Sequence, residues 1–132
     1  MIVPYPDVPA SALTLLPPGA MLARRYLHAG CTVLALSGEI DASCAPELRR
    51  HLTQAIVEGG PPVIVDLTDV TFIDLVAVGQ LVQALARTGW ASGSIRLVSP
   101  SPFVQRVLEL TRVASILPVH DSMAGALVAL KR

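Results

Sequence analysis

Residues 63–81 read Val-Ile-Val-Asp-Leu-Thr-Asp-Val-Thr-Phe-Ile-Asp-Leu-Val-Ala-Val-Gly-Gln-Leu. The aliphatic run Val63 to Leu67 suits a strand buried on both faces, the pattern of a parallel sheet, and is the expected centre of that sheet. From about Leu75 to Thr88 the pattern changes to helical: Val78, Leu81, Val82 and Leu85 share one face, and Gly89 is the stop signal. Asp74 stands where strand becomes helix, so its carboxylate can accept from the first free helical N–H groups. Leu75 and Val76 follow it, two aliphatics pointing in different directions where small polar residues are usual; at least one is expected to be exposed or covered by another segment.

Leu22 to Leu27 and Thr32 to Leu36 are strand candidates joined through Gly30, and so short a connection pairs them antiparallel. Pro46-Glu47-Leu48 opens a helix in the usual way, with a Pro and an acid in the first turn. Leu48, Leu52, Ala55 and Ile56 form its apolar face, and Gly59-Gly60-Pro61-Pro62 closes it. After Gly89, Ile95 to Val98 is a strand, and Ser99-Pro100-Ser101-Pro102 turns into a helix carrying Val104, Val107, Leu108 and Leu110. Ile116 to Val119 is the expected last strand and Met123 to Leu130 the last helix. The order β-β-α-β-α-β-α-β-α predicts an α/β domain with a mostly parallel sheet, helices packed on it, and one antiparallel edge strand.

Residues 1–20 carry Pro4, Pro6, Pro9, Pro17 and Pro18, too many for regular structure, and read as an extended arm. Leu13, Leu15 and Leu16 give that arm apolar groups to lay along the domain or a partner. The domain proper is expected to cover 21–132. At 132 residues, 52% of them hydrophobic, one domain with a sizeable core fits and a second does not.

Ten basic and ten acidic residues cancel, and no local Lys/Arg run breaks the balance, which argues against nucleic acid and against an anionic membrane surface. Mean hydropathy is high at +0.59, yet no apolar run reaches the ~20 residues that span a bilayer. No secretory leader is recognisable, so a cytoplasmic location is expected. Cys31 and Cys44 form no CxxC pair and read as buried free thiols. His28, His51 and His120 are scattered without a second ligand at helical spacing, so no metal and no cofactor is expected.

Two stretches carry a resemblance. The first is Leu36-Ser37-Gly38-Glu39-Ile40-Asp41-Ala42-Ser43-Cys44-Ala45-Pro46-Glu47-Leu48; the second is Val63-Ile64-Val65-Asp66-Leu67, Val70, Phe72-Ile73-Asp74, Gly79 and Leu81. In this order and spacing they resemble STAS domains, the family of anti-sigma factor antagonists, over about residues 21–132. The resemblance implies a binding function through a face built from Glu39, Asp41, Ser43, Thr71, Asp74, Leu75, Val76 and Ala77. It implies an anti-sigma factor or kinase as partner, a homodimer being compatible with it. In family members small hydroxyl residues follow the Asp, and one of them is phosphorylated by the anti-sigma kinase. That position here is Val76, which has no oxygen to phosphorylate. Thr68 and Thr71 carry the nearest hydroxyls in sequence and are expected to be loop residues bonded to their own backbone.

Other classes fit less well. Glu39, Asp41 and Asp66 suggest the acidic pocket of a two-component receiver, but such domains resemble a chain with an acidic pair after the first strand and a Lys after a late one. Here His28-Ala29-Gly30 follows the first strand, and no Lys precedes Lys131. Enzyme motifs such as GxSxG, GxxxxGK[ST] and GxGxxG are absent, so no catalysis is expected. An accessory subunit of a signalling or transport assembly is the second reading, since it needs no acceptor hydroxyl.

Overall fold

The structure, a computed structural model, describes residues 20–99 and 101–131. The expected arm of residues 1–20 lies outside the described residues except for Ala20. The elements are β1 (Met21–His28), β2 (Cys31–Ile40), α1 (Ala45–Gln54), β3 (Val63–Ile73), α2 (Leu75–Thr88), β4 (Ile95–Val98), α3 (Pro102–Leu110), β5 (Val119–His120) and α4 (Met123–Leu130). They form one five-stranded sheet in the order β1-β2-β3-β4-β5, with β3 at its centre. β1 pairs antiparallel with β2, and every other pairing is parallel.

The β1–β2 hairpin turns on Ala29 and Gly30, both at positive φ (51° and 80°). Two central residues with φ above zero match the right-handed twist of the strands they join, which holds the register His28 to Cys31. β2 and β3 are longer than their aliphatic cores: β2 continues through Gly38-Glu39-Ile40 and β3 through Asp69-Val70-Thr71-Phe72-Ile73. Register shifts between Ala35 and Ser37 and between Gly38 and Glu39 admit the polar residues while keeping the strands paired. Thr68 and Thr71 are therefore strand residues, and neither bonds its own backbone through its hydroxyl. Thr68 Oγ1 donates to the Asp66 carboxylate, and Thr71 Oγ1 donates to Gly38 O on β2.

Side chains alternate between two faces of the sheet. On one face Leu34, Leu36, Val65, Leu67 and Leu97 meet Leu48 and Leu52 of α1, Leu81 and Leu85 of α2 and Leu108 of α3 in the larger core. On the other, Cys31, Val33, Ile64 and Val98 meet α4 through Ala126, Met123, Leu127 and Leu130. Both cysteines are free and buried. Each fully buried Leu or Ile contributes roughly 1.5–3 kcal/mol, so α1, α2 and α3 are held to the sheet mainly by their apolar stripes.

The final strand differs from expectation. Ile116 and Leu117 both donate their N–H groups to Val113 O, in a turn built on Val113–Ser115, so they cannot pair with the sheet. Pro118 has no N–H to offer, and the ladder begins only where its carbonyl accepts from Leu97 N at 2.8 Å. β5 is thus Val119–His120, while Leu117 stays fully buried as core.

Candidate functional site

All parallel strands point their carboxyl ends the same way, and in open α/β sheets this is the end that carries function. Here the end of β2 runs into the segment from Asp41 to Cys44, the end of β3 into α2, and the loop after β4 into α3.

Asp74 joins the first two. Its backbone is extended (φ −111°, ψ 178°), and Oδ1 accepts from Ala77 N at 2.9 Å as the N-cap of α2. Its second oxygen, Oδ2, accepts from Ala42 N at 3.0 Å, across 32 positions of sequence. Asp74 N donates to Ile40 O at 3.2 Å. One residue thus caps α2 and, by one hydrogen bond each, ties it to the end of β2 and to the β2–α1 loop. Within the β2–α1 loop, Asp41 has the matching role: it caps the short turn Ala42–Cys44, and its Oδ1 accepts from both Ser43 N (2.9 Å) and Ser43 Oγ. The hydrogen bonds from Ser43 hold the Asp41 carboxyl below the usual carboxylate range, so it carries its charge at neutral pH. Glu39 lies on β2 between Phe72 of β3 and the incoming chain, its N–H donating to Ala20 O at 3.2 Å.

Beside this polar frame the surface is apolar. Leu75 is 69% exposed and Val76 47%, so both aliphatics that open α2 face outward. Ala77 is fully buried, and its contribution to the site is the N–H bond to Asp74. Phe72 on β3 and Phe103 on α3 are 39% and 50% exposed, and their rings stack 5.8 Å apart at 23°. They are the only two phenylalanines in the chain. Phe103 escapes a reading of the sequence because it falls off the apolar stripe of α3. Its one signal there is an aromatic directly after the Pro that opens the helix.

The structure therefore brings Glu39, Asp41, Ser43, Thr71, Asp74, Leu75 and Val76 to one end of the sheet. A surface cavity of about 510 Å³ between α3 and β5, lined by Gln105, Glu109, His120 and Asp121 among others, shares no residue with them. Among the described residues no group of three His, Cys, Asp or Glu side chains is placed to hold a metal ion, and no helix is long and apolar enough to cross a membrane.

The fold defines the class: a single α/β domain with a mixed five-stranded sheet and four helices. The chain matches the STAS domain family over residues 24–126 and belongs to it. It is 24% identical over 105 residues to the anti-sigma F factor antagonist of Paenibacillus polymyxa, covering 79% of this chain and 90% of that one. It is 29% identical over 86 residues to the anti-sigma-B factor antagonist of Listeria monocytogenes, covering 65% and 75%. The crystal structure of an anti-sigma factor antagonist from Mycobacterium paratuberculosis superposes with a TM-score of 0.78 at 24% identity, over 88% of this chain and 98% of that one, and shares its fold.

Proposed function

We propose that this chain is an anti-sigma factor antagonist that works in the cytoplasm by partner switching: it binds an anti-sigma factor and so frees the sigma factor, with no catalysis of its own. The docking face is the end of the sheet where Glu39, Asp41, Ser43, Thr71, Asp74, Leu75 and Val76 meet. The observation that supports this most is the pair of hydrogen bonds that the Asp74 carboxylate accepts, from Ala77 N and from Ala42 N, which joins the two family signatures into one surface. A face fixed in advance loses little entropy when a partner docks.

In this reading position 76 carries no switch. A phosphoryl group there adds a charge of roughly −2, which in a packed interface repels the partner. Val76 offers no nucleophile, so the complex is not released by phosphate at that position. Mixing the purified protein with candidate anti-sigma kinases and measuring association tests the reading; failure to bind every cognate candidate removes it.

The lost acceptor hydroxyl also favours a second reading, an accessory subunit of a signalling or transport assembly. Neighbouring genes separate the two: a kinase or sigma factor supports the first, an ATPase with a permease the second.

A further inference from the structure

We propose that the Phe72–Phe103 stack, with Leu75 and Val76, is the anchor of the docking face, and that its occupant is a protein surface with an apolar stripe flanked by Arg and Lys. This rests on the binding function proposed above and names the chemistry of the partner. Four large apolar side chains from three elements, β3, α2 and α3, stand at 39% to 69% exposure at one end of the sheet. Aromatic pairs of this kind, partly buried and rigidly held, are the side chains that carry most of the energy when an interface closes over them.

Charge identifies the occupant. The chain is neutral as a whole, but Glu39, Asp41, Glu47, Asp66, Asp69 and Asp74 all lie in the two segments that end at this face. They are six of the ten acids, and the two stretches that hold them, 36–48 and 63–81, contain no Arg or Lys; Arg49 and Arg50 follow only as α1 leads away from the face. Asp69 and Glu47 are exposed, and Asp41 is partly exposed and held ionised by Ser43. Arg106 on α3 is paired with Glu109 at 3.2 Å and does not offset them. An excess of acid in the segments that carry an apolar patch repels a second copy of itself, a nucleic acid and an anionic membrane, and attracts a basic protein surface.

The test uses the full chain, ¹⁵N-labelled, titrated at low salt with an amphipathic Leu/Lys helical peptide and, separately, with its Leu/Glu counterpart. Amide shifts centred on Phe72, Leu75, Val76 and Phe103 are expected with Leu/Lys alone. Phe103→Ala and, independently, Leu75→Ser weaken that binding about tenfold or more, and raising the salt from low to moderate weakens it further. Both side chains are half-exposed or more, so the fold is retained, and Val57→Ala, at another exposed apolar site, leaves the binding unchanged. Equal response to both peptides, shifts centred elsewhere, or indifference to Phe103→Ala and Leu75→Ser overturns the anchor. If an anti-sigma factor binds while these variants change nothing, the anchor falls and the antagonist function stands. If Leu/Lys lands on the anchor but no anti-sigma factor binds, the surface chemistry stands and the function falls.

Discussion

At Asp74 one oxygen accepts from Ala77 N and the other from Ala42 N, so the residue caps a helix and fastens a loop at once. Asp74→Ala removes both acceptors and is expected to cost about 2 kcal/mol in a urea melt, the upper end of a lost N-cap. Asp74→Asn keeps an acceptor for Ala77 but turns an amide donor toward the Ala42 N–H, and falls between the two. A cost for Asn as large as that for Ala would show that the loop bond, and not the cap, is the larger contribution. The cap is legible in the sequence as an Asp at a strand-to-helix junction. The bond to Ala42 is not, because it depends on how β2 and β3 pair 32 residues apart. Val76 is simpler. It is half-exposed, so Val76→Ser should change stability by less than about 0.5 kcal/mol. Incubated with an anti-sigma kinase and ATP, the parent should take up no phosphate at position 76, whereas Val76→Ser regains it if the docking surface is intact. Stoichiometric phosphate on Thr71 of the parent would show that the acceptor has moved.

Elements with strong periodicity are readable from the sequence: the central strand β3, the stripe of α2 and the stop at Gly89, which takes φ 72° as its C-cap. Their ends are not. β2 and β3 run on past their aliphatic cores because register shifts let Gly38, Glu39, Val70 and Phe72 stay paired, a property of two strands together and of neither alone. β5 starts later than its apolar run suggests because Ile116 and Leu117 spend their N–H groups on Val113 O. The β1–β2 turn gives a prediction at this scale. Ala29 sits at φ 51°, a left-handed conformation that costs an L residue with a Cβ roughly 1 kcal/mol and that Asn tolerates better. Ala29→Asn should therefore raise stability by about 0.5–1 kcal/mol in thermal or urea unfolding. A destabilisation would mean that the Ala29 side chain makes contacts that matter more than its backbone.

Across the whole molecule, ionisable groups set how stability responds to acid. Burial lowers the pKa of His51, and burial with the Arg96 charge beside it lowers that of His120, both from an ordinary value of 6.5. On unfolding both return to that value, so as pH falls through about 6.5 the unfolded chain takes up protons first and the native state loses ground. Asp41, held low by Ser43, and Glu58, held low by Arg25, with which it forms an ion pair at 2.7 Å, add a second loss as pH falls from about 4 through their native values. The urea midpoint should be lower at pH 5.5 than at pH 7.5, and His120→Gln should flatten that slope; a midpoint that rises on acidification contradicts the assignment. Overall neutrality reads as the absence of a field, whereas folding brings together two segments that hold six acids and no Arg or Lys, beside four exposed apolar side chains.

The proposed binding face, with no phosphate switch at position 76, is tested most directly by one measurement: affinity for the cognate anti-sigma factor before and after incubation with ATP. Tight association, unchanged by ATP and with no phosphate on the protein, is the expected result. No association, or association lost as phosphate enters the protein, contradicts it.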